Sequence, residues 1–282
     1  MTDQVSQIRA FTSDDMKRTQ RLLKASFGPW SWLSDPVMEG VENLPRKGPA
    51  LYVGNHTLLG VLDVPVMLGQ IAKQTGVTLR SLGDRAHFKV PGWRDFMTST
   101  GCVEGTRENC ARLMQLGEQI IVFPGGGGEV FKRKGEQYKL RWKERVGFAR
   151  MAIENRCPII PFAAVGGDDF YKIVLGSDEI MATPLGKLLV KAGMREEALG
   201  VYRGVGLSMI PRPQRLYFKF GKPIRTTRYK GDGETLANCE AVRDKVRASV
   251  EAMIAELLEQ RERDPQRSLG RRLLGKLSKG RL

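Results

Sequence analysis

Six apolar runs, each bounded by Gly, Pro or Asn, punctuate the middle of the chain: Ala50–Asn55, Thr78–Gly83, Gly101–Gly105, Gln119–Pro124, Pro158–Gly166 and Arg215–Gly221. Most are continuous rather than alternating, the pattern of strands covered on both faces. Helical periodicity fills the gaps at Asp63–Lys73, Arg107–Leu116 and Arg145–Asn155. This alternation predicts an α/β fold with a central, largely parallel sheet flanked by helices. Upstream, Ser13–Phe27 reads as a helix, followed by a Gly-Pro and two tryptophans, Trp30 and Trp32. That arm suits either an interfacial anchor or packing on the domain. Residues 168–213 are irregular and suit a lid, a lipid-facing insertion or a plain surface excursion, with 184–193 a short apolar-basic stretch. Leu236–Arg263 is a long helical stretch free of Gly and Pro, ended by Pro265. Beyond it, Leu269, Leu273, Leu274 and Leu277 alternate with Arg271, Arg272, Lys276 and Lys279. As a helix this tail has one leucine face in a cationic setting, the pattern of a membrane-surface segment; a disordered basic tail is the alternative. The expected organisation is an N-terminal helical arm over 1–44, an α/β domain over 45–235, and a C-terminal amphipathic helix with a basic tail over 236–282.

Charge sharpens this picture. Of the net +15, residues 132–150 and 261–282 each carry +6. Such clusters suit an anionic membrane surface, phosphorylated substrates or nucleic acid, although any one charge run can be a solvated face. No finger, helix-turn-helix or stacking-aromatic module accompanies them, so nucleic acid is not the expected partner. The four cysteines have no paired-ligand spacing, which points to a reduced chain without a metal site. The N-terminus lacks an apolar signal core, and no run of 18 apolar residues occurs. The expected location is the cytoplasmic face of a membrane, held peripherally, with no transmembrane helix and no signal peptide.

The chemistry concentrates in two stretches where apolar strands stop. The first, Val53–Asp63, supplies His56, one of only two histidines, with Asp63 after six intervening residues. A histidine is the usual general base near neutral pH, and a carboxylate beside it holds the tautomer and stabilises the imidazolium. Asp63 can equally start the following helix. On a regular helix seven positions rise about 10 Å, too far for a direct bond. Contact between the two therefore requires a turn, expected at Gly60; otherwise Glu129 or Asp84 is left to orient the ring. The second stretch, Phe123–Glu129, has Gly125, Gly126, Gly127 and Gly128 ahead of Glu129. Its backbone N–H groups are expected to approach an oxyanion or phosphate. No Gly-Lys-Ser/Thr follows, which excludes a nucleotide P-loop. Lys132 heads a basic run suited to the phosphates of a substrate or to lipid head groups. Glu129 suits substrate contact or loop support.

These stretches resemble blocks of the glycerolipid acyltransferase superfamily, in its diacylglycerol-acyltransferase-like branch. Asn55-His56…Asp63 resembles the catalytic block, with a longer spacing than the usual four residues. Leu82–Gly92, running on to Gly101–Arg107, resembles the second block, whose arginine, here Arg107, contacts an acceptor phosphate in the phosphate-using members. Phe123–Glu129 resembles the Phe-Pro-Glu-Gly block in a glycine-rich form, and Cys157–Phe162 resembles the fourth. The resemblance spans roughly residues 45–225. It implies an O-acyltransferase that moves a fatty acyl group from acyl-CoA or acyl-ACP, as co-substrate, to a lipid alcohol, with no bound cofactor and no metal. His56 and Asp63 would be catalytic, and Asn55, Arg107, Gly125, Gly126, Gly127, Glu129 and Lys132 would bind substrate. Gly125 stands where phosphate-using relatives carry glutamate, which favours a neutral hydroxyl acceptor. A lipid ester or thioester hydrolase is the alternative reading, against which no Gly-x-Ser-x-Gly elbow exists. A non-catalytic basic lipid- or nucleic-acid-binding protein is the third.

Overall fold

The computed structural model describes residues 8–60 and 62–278. Its centre is a seven-stranded sheet in the order β1-β9-β6-β2-β5-β3-β4. The strands are β1 (Val37–Glu39), β2 (Ala50–Gly54), β3 (Arg80–Gly83), β4 (Cys102–Glu104), β5 (Gln119–Val122), β6 (Ile159–Val165) and β9 (Tyr217–Phe220). From β6 to β4 every neighbouring pair is parallel. β9 runs antiparallel to β6, and β1 pairs parallel with β9. The expected largely parallel α/β sheet is therefore present, with all six apolar runs in it. β1 is an addition that joins the sheet from within the stretch expected as a separate arm. Every residue of β2 and β6 is buried, as continuous apolar strands require.

Helices cover both faces. Between strands lie α2 (Asp63–Thr75), α3 (Trp93–Ser99), α4 (Arg107–Gln115), the single turn α5 (Gly127–Val130) and α6 (Gly147–Glu154). The first helix, α1 (Ser13–Ser34), begins with a capping box in which Thr12 accepts from the Asp15 N–H, and continues through Pro29. Its Leu23, Phe27 and Trp30 pack with Val66, Met67 and Ile71 of α2 into one core cluster, so the arm lies on the domain. On the opposite face, α9 (Leu236–Arg263) places Cys239, Val242, Val246, Val250 and Leu257 in a second cluster with β2 and β6 residues. Their spacing of three, four and seven is the core stripe of an amphipathic helix.

Residues between Asp168 and Pro213 form β7 (Lys172–Leu175), α7 (Ser177–Met181), α8 (Pro184–Lys191) and β8 (Val201–Arg203). β7 and β8 make their own two-stranded ribbon. The last described helix, α10 (Leu269–Leu277), leaves Leu274 66% and Leu277 54% exposed. Arg272 turns the other way and is 2% exposed, donating to the carbonyls of Leu33, Pro213, Gln266 and Arg267. The expected cationic tail thus loses one of its arginines to docking of α10 on the domain. Residues 279–282, including Lys279, lie outside the described residues. Among the described residues no helix is long and apolar enough to cross a membrane.

Candidate active site

β6, β2 and β5 are adjacent and parallel, so the segments that follow them meet at one edge of the sheet, where α/β proteins place their sites. These segments carry His56, Phe123 and Asp168. The His56 imidazole lies against the Phe123 ring at 4.1 Å between centroids, and Phe123 meets Phe162 edge-on at 5.8 Å. Residues from three of the four blocks are therefore in mutual contact.

The chain leaves β2 into a turn with left-handed backbone at Leu59 (φ 60°) and Gly60 (φ 51°), then enters α2 at Asp63. This is the expected break at Gly60. Its α-carbon crowds the imidazole: a Cβ there would stand 1.9 Å from His56 Cε1 and 2.5 Å from Nδ1. His56 Nδ1, Thr57 Oγ1 and Asp63 Oδ1 are all buried without a hydrogen-bond partner. The ring and the carboxylate are therefore not hydrogen-bonded to each other in this conformation. Burial holds the imidazole down to about 3, with the Lys132 ammonium and then His87 adding to the effect. Burial pushes the Asp63 carboxyl up to about 6, against the Thr57 hydroxyl and with the Asp168 carboxylate acting in the same direction as burial. At neutral pH the His56 imidazole is therefore uncharged.

The loop that holds His56 is tied down by groups whose sequence positions are distant. Glu129 is 0% exposed, and its two oxygens accept from the His56 backbone N–H and the Arg141 backbone N–H at 3.0 Å each. Gly125 makes this possible: a Cβ there would stand 2.3 Å from the Glu129 carboxyl carbon. The Glu129 side chain thus passes through the space a side chain at position 125 would take. Burial raises the Glu129 pKa, opposed by those backbone donors. Glu129 meets the backbone of His56, not its ring. Asp84 pairs instead with Arg195 at 3.2 Å, away from the imidazole.

Lys132 is likewise enclosed. Its ammonium donates to the His56 carbonyl at 2.6 Å and to both oxygens of Asp168 at 2.9 Å, with side chains 1% and 0% exposed. Asp168 also accepts from the backbone N–H of Leu58 and of Tyr138, both at 2.6 Å. Sequence reading placed Lys132 toward substrate and passed over Asp168. The pairing explains both: a buried lysine needs a carboxylate, and this one clamps the segments after β2 and β6. Asn55, also expected at substrate, exchanges hydrogen bonds with the Ala164 backbone at 2.8 and 2.9 Å and is buried. Arg107 is exposed at the start of α4 after edge strand β4, three strands from β2, a lateral offset of about 14 Å. The structure does not bring it against His56. In the glycine loop, Gly126 starts α5 with φ 52°, and Arg145 donates to the carbonyls of Pro124 and Gly125 at 2.7 and 2.8 Å. Gly127 lies beside the Glu197 carboxylate. Among the described residues no cluster of three or more His, Cys, Asp or Glu suits a metal ion.

A half-buried, uncharged histidine at the carboxyl edge of a parallel sheet, beside a glycine loop, is the candidate centre. Comparison with known proteins narrows the class. Residues 35–165 match the family model described as Acyltransferase. Phytyl ester synthase 1 of Arabidopsis thaliana is 33% identical over 258 residues, covering 84% of this chain and 36% of that protein. The Bos taurus protein named DGAT1/2-independent enzyme synthesizing storage lipids is 31% identical over 144 residues, covering 48% of this chain and 42% of that protein. The chain thus spans only about a third of the length of the phytyl ester synthases it matches. In fold, it is similar to the crystal structure of the 1-acyl-sn-glycerophosphate acyltransferase PlsC from Thermotoga maritima. That likeness has a TM-score of 0.51 at 19% identity over 84% of this chain and 79% of the other. Residues 35–165, from the start of the sheet to the end of β6, thus form an acyltransferase-family domain.

Proposed function

We propose that the chain is a membrane-associated O-acyltransferase that moves a fatty acyl group from acyl-CoA or acyl-ACP to a lipid hydroxyl, with His56 as general base. The observation that carries this reading is the uncharged imidazole set between Phe123 and the Gly60 turn, with Asp63 Oδ1 buried without a partner at the end of that turn. The acceptor O–H gives its proton to the imidazole as its oxygen attacks the thioester carbonyl. Backbone N–H groups of the Gly125–Gly128 loop hold the oxyanion, which collapses to the ester and expels thiolate. The proton on the imidazole returns to the thiolate, so no acyl-enzyme forms. Asp63, on rearrangement of the Gly60 turn, pairs with the ring and stabilises the imidazolium. Glu129, Lys132 and Asn55 act by holding the His56 loop.

The acceptor is a neutral lipid alcohol such as diacylglycerol or a long-chain alcohol. In its favour, the Lys132 ammonium beside the His56 loop is engaged by Asp168 and by the His56 carbonyl and is not held free for an acceptor phosphate. The names of the plant and bovine relatives, an ester synthase and a storage-lipid enzyme, agree with this reading. Lipid access comes from exposed apolar side chains on α8, the loop after β8 and α10, among them Leu188, Leu207, Ile210 and Leu274.

The test supplies labelled acyl-CoA or acyl-ACP with lysophosphatidate, monoacylglycerol, diacylglycerol and long-chain alcohols in parallel, and identifies the product. His56→Ala should cost about 10²–10⁴-fold in transfer. Near-normal turnover by that variant retires the mechanism, and release of free acid without acceptor marks a hydrolase instead.

A further inference from the structure

A cavity of about 870 Å³ opens along the seam between α1 and α2, with α10 at its end. The two helices run antiparallel: Gln20 donates to Thr78 at 2.9 Å, and Gln70 donates to Ser31 at 3.0 Å. Between Gln20 and Ser31 the seam is about 17 Å long. Its lining is mixed: Leu23, Phe27, Trp32 and Val66 supply an apolar strip among glutamines, lysines and arginines.

Two observations ask for an occupant. The first is Gly69, which lines the cavity from the interior of α2, where glycine is destabilising relative to alanine. A Cβ at this position would meet no atom within 4 Å, so nothing in the folded chain requires a glycine. Its effect is to leave the seam unfilled. The second is charge: five of the lining residues are cations, against the single carboxylate of Asp35. Asp35 is already engaged by Arg215 at 2.9 Å and Lys276 at 3.7 Å, and Arg215 also meets Asp264 at 2.7 Å, which leaves three of the five cations without a carboxylate among the described residues. Lys24 and Lys73, exposed on facing helices, have no ion-pair partner among the described residues. Arg272 reaches only backbone carbonyls, leaving its charge without a carboxylate partner.

We propose that this seam is a binding site for a single-chain anionic amphiphile. The alkyl chain lies between α1 and α2, and a carboxylate or phosphate head is taken by Lys24 and Lys73. The site is separate from the His56 edge and does not depend on the acyl-transfer reading. It is tested on the full chain by calorimetric titration with dodecyl phosphate, dodecanoate, dodecanol and inorganic phosphate, the amphiphiles kept below their micelle concentrations. Saturable one-to-one binding of dodecyl phosphate or dodecanoate is expected, and the tighter of the two identifies the head group. Gly69→Leu should weaken that binding at least tenfold with unchanged circular dichroism. Lys24→Glu with Lys73→Glu, two exposed changes, should weaken it similarly and provide a check should the leucine variant misfold. His56→Ala should bind as the native chain does. Absence of saturable binding overturns the proposal, as does equal affinity for dodecanol or for inorganic phosphate alone. Full binding by the Lys24/Lys73 double variant, or by a folded Gly69→Leu chain, overturns it as well. Loss of binding in His56→Ala would move the ligand to the catalytic edge and end it too.

Discussion

Replacing Asp63 by Asn separates two consequences of burying that carboxyl without a hydrogen bond on Oδ1. Its pKa is raised to about 6, from an ordinary 3.8. Because the folded-state value is the higher one, the unfolded chain gives up this proton first as pH rises. The associated stability is fully present below pH 3.8 and is lost as pH rises through 6. A gap of about two units corresponds to roughly 3 kcal/mol in full, and to about 2 kcal/mol between pH 4.5 and pH 8. Asp63→Asn keeps the neutral shape at every pH and removes this dependence. Urea denaturation of both proteins at the two pH values should show the variant gaining about 2 kcal/mol on the native chain as pH rises. Any fixed cost of the Asn amide cancels in that comparison. Activity should move the other way. Native kcat/KM should climb as Asp63 ionises through about pH 6. The variant should lack that limb and lose about 10²–10⁴-fold at pH 8. A pH-independent stability difference would refute the burial argument, and a surviving acid limb would refute the pairing of Asp63 with the imidazolium.

Other perturbations address the clamp around the histidine. Gly125→Ala puts a methyl 2.3 Å from the Glu129 carboxyl. It should displace Glu129 from the His56 N–H and reduce kcat by at least about tenfold while KM for the donor changes little, read by steady-state kinetics. Lys132→Met strands the buried Asp168 charge and should cost about 3–5 kcal/mol in urea denaturation; a loss below about 1 kcal/mol would mean the pair is solvated. Leu274→Ser with Leu277→Ser removes exposed apolar surface from α10 and should reduce co-sedimentation with anionic vesicles; unchanged sedimentation would discount α10 as a lipid contact.

The strands that sequence reading found are those buried on both faces, because a continuous apolar run such as Ile159–Val165 admits few other readings. β1 escaped it: Val37–Glu39 is three half-buried residues between Pro36 and Gly40, too short for a period to register. β7 escaped for the opposite reason, since of its four residues only Ile173 is buried. At the site, His56 and the Gly60 turn were legible because their chemistry and punctuation are local. The clamp was not. Lys132 reads as the head of a surface basic run, and its partner Asp168 lies 36 residues on in a stretch with no regular pattern. Nothing in a one-dimensional pattern tells a buried ammonium from a solvated one; only the meeting of β2 and β6 does. Arg272 was misread in the same way, as one more cation on a tail.

The segment from β7 to β8 leaves and rejoins the body at one neck, and its far part touches the body through Arg195 on Asp84 and Glu179 on Lys134. Phe170 is 2% exposed, and its carbonyl accepts the Arg212 N–H at 2.9 Å. Asp169 beside it is held by Arg261 of α9 at 2.7 Å. Lengthening or trimming what projects beyond this neck therefore adds little closure entropy and leaves the sheet register untouched. Descendants of this chain are free to vary the length of that projection while inheriting the same seven-stranded floor.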